Sequence, residues 1–279
     1  MSDLAALVAS PGTNDVPWTD PALPAQPLTL RAARPRRFHA DTPVLFVHHG
    51  VLRNGADYRD YWLPLVDEAD VLVVVPEFSD AAFPTPLSYN YGNREDAEGR
   101  PLPREQWTYA VDGHLFAALR AAGVTRRQGY GIFGHSAGGQ FVHRMLSLGF
   151  RDRVVTAAAA NAGSYAMPTL GVDFPYGLGA TGLEETQLAG LLRFPLIVMG
   201  GSEDTDTTSE HFPREEAAMR QGETRFARAH AYVNAAHAEA ARLGLDCAWR
   251  LIAVEGVGHD GGRMGAAAAP VLAAALHAG

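Results

Sequence analysis

Ser136 has the strongest claim to chemistry in this chain. It lies at the centre of Gly134-His135-Ser136-Ala137-Gly138, a G-x-S-x-G spacing. A serine hydroxyl at its ordinary pKa is a poor nucleophile and needs a base to take its proton. Histidine titrates near neutrality, so it can accept that proton and later return it to a leaving group. A carboxylate on the other ring nitrogen fixes the tautomer and stabilises the imidazolium. Downstream of Ser136 the chain supplies Asp204, in Gly201-Ser202-Glu203-Asp204, and His259, in Gly256-Val257-Gly258-His259. Glu203 and Asp206 share the turn with Asp204, which is preferred because the short glycine-led turn lets it leave a strand end. His48 and His49 rival His259 by type, but they precede the serine. The plain alternative is a glycine-rich turn holding a structural serine.

The elements around these residues favour the chemical reading. Tyr130–Phe133 is an apolar strand, and Phe141, Val142, Met145 and Leu146 recur at helical spacing immediately after the serine. A strand that reverses into a helix within so few residues places the intervening serine on a strained bend. The glycines two before and two after it let neighbouring backbone approach closely. The following helix aims free N–H groups and a partial positive charge at the site, which suits an oxyanion. Gly129-Tyr130-Gly131-Ile132-Phe133-Gly134 is formally G-x-G-x-x-G. Polar Thr125-Arg126-Arg127-Gln128 precedes it where a dinucleotide fingerprint needs a strand, so the match is read as coincidence.

Along the chain, buried strands are expected at Val44–Val47, Val71–Val75 and Pro195–Met199, further strands at Val154–Ala160 and Ala248–Val254, and an edge strand at Leu28–Ala33. Helices are expected over 56–70, 107–122, 222–243 and 262–278. This alternation predicts an α/β fold with a mostly parallel sheet covered on both faces. Ligands bind such sheets at the carboxyl ends of strands, which is where Ser136, Asp204 and His259 fall. Residues 1–25 read as an N-terminal tail or surface wrap and 26–279 as one domain. Two long irregular segments, near 77–106 and 162–190, read as cap-like insertions.

Composition excludes other chemistries. The chain has 279 residues, 47% hydrophobic and 19% charged, enough for one large folded domain. All 23 cationic residues are arginine. Without lysine there is no Schiff base, no Walker A phosphate loop and no Ser-Lys dyad. The net charge of −8 shows no basic cluster, so nucleic acid is not an expected partner. A lone cysteine, Cys247, permits neither an intrachain disulfide nor a cysteine zinc site, and no metal or other cofactor is expected. No run approaches ~18 apolar residues, so no membrane span is expected. The first dozen residues lack a basic leader, and the expected location is cytoplasmic.

With these residues in place, the chain resembles the α/β-hydrolase superfamily over roughly residues 25–279. The carrying motifs are His49-Gly50 after a strand, the Gly134–Gly138 elbow, Gly201–Asp204 and Gly258-His259, in the order serine, acid, histidine. Within the superfamily, Gly134-His135-Ser136-Ala137-Gly138-Gly139-Gln140 is similar to polyhydroxyalkanoate-depolymerase-like esterases. The resemblance implies an α/β-hydrolase fold and a serine esterase that forms an acyl-enzyme on a small-molecule ester without a cofactor. Its oxyanion hole would use the backbone N–H groups of Ala137 and Val51, with Leu52 second to Val51. The two insertions would wall the acyl pocket, with Phe78, Tyr89, Tyr91, Tyr165 and Phe174 as candidate lining residues. A peptidase or amidase using the same residues, and a non-catalytic binding protein on the same fold, are the alternatives. Oligomeric state has no sequence signal.

Overall fold

The computed structural model describes residues 3–279. Eight strands form one sheet: β1 (Gly12–Trp18), β2 (Leu28–Arg34), β3 (Val44–His48), β4 (Leu72–Glu77), β5 (Tyr130–His135), β6 (Val154–Ala160), β7 (Leu196–Gly201) and β8 (Arg250–Val254). Their spatial order is β1-β2-β4-β3-β5-β6-β7-β8. The β1/β2 and β2/β4 pairs are antiparallel, and every pair from β4 to β8 is parallel. The carboxyl ends of β3, β5, β6, β7 and β8 therefore share one edge.

The parallel strands β3 to β7 are apolar on both faces, as a doubly covered sheet demands. In β3, Val44 and Phe46 point into one core layer while Leu45 and Val47 point into the other. The first layer is closed by α3 (Val111–Ala121), α4 (Ala137–Ser147) and α7 (Arg225–Arg242), through Leu115, Phe116, Phe141, Val142 and Tyr232. The second is closed by α1 (Gly55–Trp62) and α8 (Gly261–Ala278), through Tyr58, Trp62, Met264, Leu272 and Leu276. Trp62 packs edge-on to Phe133 at 5.3 Å between ring centroids.

Several elements differ from the sequence reading. The segment read as a tail supplies a strand: β1 pairs with β2 from Gly12↔Arg34 to Trp18↔Leu28. A 3-10 turn, Leu4–Val8, buries Leu4 and Leu7 ahead of it. As the edge strand β1 buries only Val16 and Trp18, and it tolerates Pro17 because it lies at the sheet margin. The single helix expected over 56–70 is broken by Pro64, which follows α1 and precedes the short α2 (Val66–Ala69). Part of the segment read as irregular up to 190 is helical, α5 (Glu185–Leu192), opened by a capping box between Glu184 and Gln187. A further short helix, α6 (Glu216–Met219), precedes α7. No helix among the described residues is long and apolar enough to cross a membrane.

Candidate active site

The bend after β5 is built by close backbone approach. A β-carbon on Gly134 would lie 2.1 Å from the Gly138 carbonyl oxygen, and one on Gly138 would lie 2.1 Å from that of His48. No side chain fits either position. Between them Ser136 takes φ 58° and ψ −118° as the N-cap of α4. This is a left-handed conformation that costs a non-glycine residue of the order of 1–3 kcal/mol. The Ser136 N–H donates to the Ala160 carbonyl at 2.9 Å, tying the bend to β6.

From the ends of β7 and β8 two more groups reach the serine. His259 Nε2 lies 2.9 Å from Ser136 Oγ, and His259 Nδ1 lies 2.8 Å from Asp204 Oδ2. The gradient of exposure suits proton traffic: Asp204 is 1% exposed, whereas the His259 side chain is 31% exposed. Asp206 does not join the set; its carboxylate accepts from the Thr208 N–H and hydroxyl, both at 2.7 Å. Glu203 is exposed, and its backbone N–H donates to the Val257 carbonyl at 2.9 Å, fastening the acid turn to the histidine loop.

The loop after β3 lies against the elbow. A β-carbon on Gly50 would come within 3.7 Å of Ser136 Cβ. Among the described residues, neither the Ala137 nor the Val51 N–H donates to another group of the chain. The two histidines before this loop are engaged elsewhere. His48 Nε2 pairs with Asp112 Oδ2 at 2.8 Å, both side chains fully buried, and its ring stacks on Phe141 at 4.0 Å. His49 Nδ1–H donates to the Gly50 carbonyl at 2.9 Å, while its Nε2 accepts the Phe78 N–H at 3.0 Å. Burial drives His49 down to about 3, so it stays neutral and braces the loop.

Two further residues, unmarked in the sequence, support Ser136, Asp204 and His259. Asn161, at the end of β6 with φ 47°, accepts the Gly201 N–H at 2.8 Å and donates to the Gly258 carbonyl at 3.0 Å. It thereby joins the acid-bearing and histidine-bearing loops. His135, beside the serine, is buried and bonded to the Tyr58 hydroxyl at 2.8 Å. Burial, then the nearby His259, holds it well below the usual histidine range, so it is neutral where its ring lies 4.7 Å from that of His259. Asn161 lay in a strand-end run with no chemical pattern, and His135 occupies a position where any residue satisfies the motif.

The candidate lining residues divide. Phe78, Tyr89 and Tyr165 are fully buried and line no accessible surface, which corrects that expectation. Phe78 and Tyr89 pack on each other at 5.0 Å and on Phe141 behind the elbow. Tyr165 stacks on Tyr232 at 4.3 Å. Tyr91 and Phe174 are half-buried, and with Leu87, Arg94 and Pro175 they line a groove of about 420 Å³ where the two insertions meet. The Arg94 guanidinium lies 4.5 Å from the Phe174 ring centroid.

No family model and no curated relative matches the chain. Among solved structures, the poly(3-hydroxybutyrate) depolymerase LpqC from Bordetella parapertussis is 43% identical with TM-score 0.89, covering 94% of this chain and 89% of that one. Poly(aspartic acid) hydrolase-1 from Sphingomonas sp. KT-1 is 36% identical with TM-score 0.90, covering 94% and 99% respectively. An S-formylglutathione hydrolase from Agrobacterium tumefaciens shares the fold at 17% identity and TM-score 0.58, with 95% of both chains covered.

Proposed function

Since the chain belongs to the α/β-hydrolase superfamily, in its polyhydroxyalkanoate-depolymerase-like branch, and is a hydrolase, we propose that it cleaves carboxylic esters through an acyl-enzyme on Ser136. The observation that carries this reading is the unbroken run from Ser136 Oγ through His259 to Asp204, with links of 2.9 and 2.8 Å.

In the proposed cycle His259 Nε2 takes the Ser136 hydroxyl proton as Oγ adds to the ester carbonyl. The new C–O bond leaves a negative charge on the former carbonyl oxygen. The Ala137 N–H, at the start of α4, and the Val51 N–H donate hydrogen bonds to that oxygen. Collapse of the tetrahedral species breaks the bond to the alcohol, and the imidazolium gives the alcohol its proton. Water then repeats the sequence on the acyl-enzyme: His259 takes a proton from water, the acid departs and Ser136 regains its hydrogen. Asp204 holds the Nδ1–H tautomer and stabilises the imidazolium in both halves. We read residues 77–106 and 162–190 as a cap on the domain built around the eight-stranded sheet, and the groove at Tyr91 and Phe174 as the place where substrate extends beyond the scissile group.

Amide cleavage is the second reading, favoured by the 36% identity to a protein named as a poly(aspartic acid) hydrolase. A panel of p-nitrophenyl esters and matched p-nitroanilides separates the two. Ester turnover that disappears in Ser136→Ala supports the proposal. Faster anilide than ester turnover shifts the assignment to amides, and equal ester rates in wild type and Ser136→Ala refute both.

A further inference from the structure

Arg225 occupies a position that fold stability alone does not favour. It is the first residue of α7, at the helix end where backbone dipoles disfavour a cation. Its side chain is 3% exposed. Burial above all lowers its pKa, although Asp204 pulls the other way. A second buried arginine, Arg228, sits one turn on. The Arg225 Nε has no hydrogen-bond partner among the described residues. Its carboxylate partner is Asp204, reached from NH1 to Oδ1 at 3.4 Å, and the same NH1 contacts the Asp206 carbonyl at 3.4 Å. The guanidinium lies 5.0 Å from the Phe212 ring centroid. The helix start is fixed to the acid turn by the Phe226 N–H, which donates to the Asp204 carbonyl at 3.4 Å.

The two oxygens of Asp204 thus face two different groups: Oδ1 faces Arg225 and Oδ2 faces His259. That division has two consequences. The carboxylate plane is set from behind, so Oδ2 stays on Nδ1. The cation also offsets part of the negative charge on Asp204. We propose that Arg225 is a positioning residue that orients Asp204 toward His259, so that removing its charge moves the acid limb of the Ser136-dependent rate toward higher pH. This inference rests on the Ser136–His259–Asp204 reading.

The other groups facing His259 do not supply this effect. His135, from the end of β5, is neutral, and its Nδ1 is bonded to the Tyr58 hydroxyl at 2.8 Å. Glu203 and Asp260 flank the histidine loop with exposed side chains, and Asp260 Oδ1 caps the Arg263 N–H at 3.0 Å. Arg225 is too deeply buried to touch substrate, so its removal acts on turnover rather than on KM.

The test is the pH dependence of kcat/KM for p-nitrophenyl acetate from about pH 5 to about pH 9. Wild type, Arg225→Met, Arg225→Lys and Ser136→Ala are compared. The acid limb of Arg225→Met moves up by about one pH unit, so on that limb its rate, scaled to its own alkaline plateau, falls roughly tenfold below that of wild type. KM stays unchanged, and Arg225→Lys, which keeps the charge, restores most of the limb. Arg225→Gln gives the same upward move without the charge and serves where the Met variant does not fold. An unmoved limb in Met and Gln, or a Lys variant that moves as far as Met, overturns the role of Arg225. If Ser136→Ala retains wild-type turnover, the serine reading itself fails, and this inference falls with it. An inactive Ser136→Ala with unmoved arginine variants refutes only the inference.

Discussion

Gly138→Ala tests how the elbow and the loop after β3 depend on each other. The added β-carbon would sit 2.1 Å from the His48 carbonyl oxygen, 2.6 Å from its carbon and 2.8 Å from the His49 carbonyl oxygen. These are backbone atoms, so no rotamer change relieves the clash. Restoring even a tight 3.0 Å contact requires α4 and the end of β3 to separate by about 0.9 Å. Such overpacking costs roughly 1–3 kcal/mol, and with three backbone contacts the upper end applies. For a chain of this size about 3 kcal/mol lowers Tm by roughly 6–12 °C. The functional loss is larger, because the atoms that must retreat lead directly into Gly50 and Val51, beside Ser136. A displacement of ~1 Å at reacting groups costs on the order of 10²-fold in rate. Thermal denaturation and kcat for a p-nitrophenyl ester, measured on the same preparation, read both effects. Gly113→Ala is the control: a β-carbon at this α3 position meets nothing within 4 Å, and the change stabilises by about 0.5–1 kcal/mol without affecting rate. A Gly138→Ala protein with wild-type Tm and kcat would refute the close approach and the argument built on it.

Two further predictions concern charge. Asp204→Asn loses about 10⁴-fold in kcat by presenting the wrong partner to His259 Nδ1, whereas Asp206→Asn, whose carboxylate only caps Thr208, stays within about twofold in the same ester assay. His49, His135 and His143 are all held below the ordinary histidine pKa, chiefly by burial. The unfolded chain therefore binds protons that the folded chain refuses. Stability is full above about pH 6.5 and falls as pH drops, continuing for His49 until about 3. The three together give a slope approaching about 4 kcal/mol per pH unit. Urea midpoints compared at about pH 7 and pH 5.5 check this, and a flat profile would contradict neutral burial.

Much of the site was legible because its residues stand at strand ends marked by glycine. Ser136, Asp204 and His259 each follow an apolar run that can be read locally, and parallel pairing brings those ends to one edge. What escaped the sequence depends on contacts between distant segments. Val16 and Trp18 are the buried residues of β1, too few for a period, so an edge strand read as a tail. Tyr89 and Tyr165 read as pocket-lining aromatics within irregular segments, yet they are buried because the segments fold back on α4 and α7. Arg225 carries no local mark at all: its partner Asp204 is 21 residues away and is brought to it only by the start of α7. Asn161 likewise acquires its task from two loops that follow it at long range.

The central claim is that the Ser136 hydroxyl, set on its bend and bonded to His259, is the group that attacks. Reaction of the folded protein with a fluorophosphonate probe, followed by tryptic mapping, addresses that atom directly. The predicted result is one adduct, on Ser136 within the peptide Gln128–Arg144, absent from Ser136→Ala. An adduct on any other residue, or a folded wild-type protein that takes none, would contradict it.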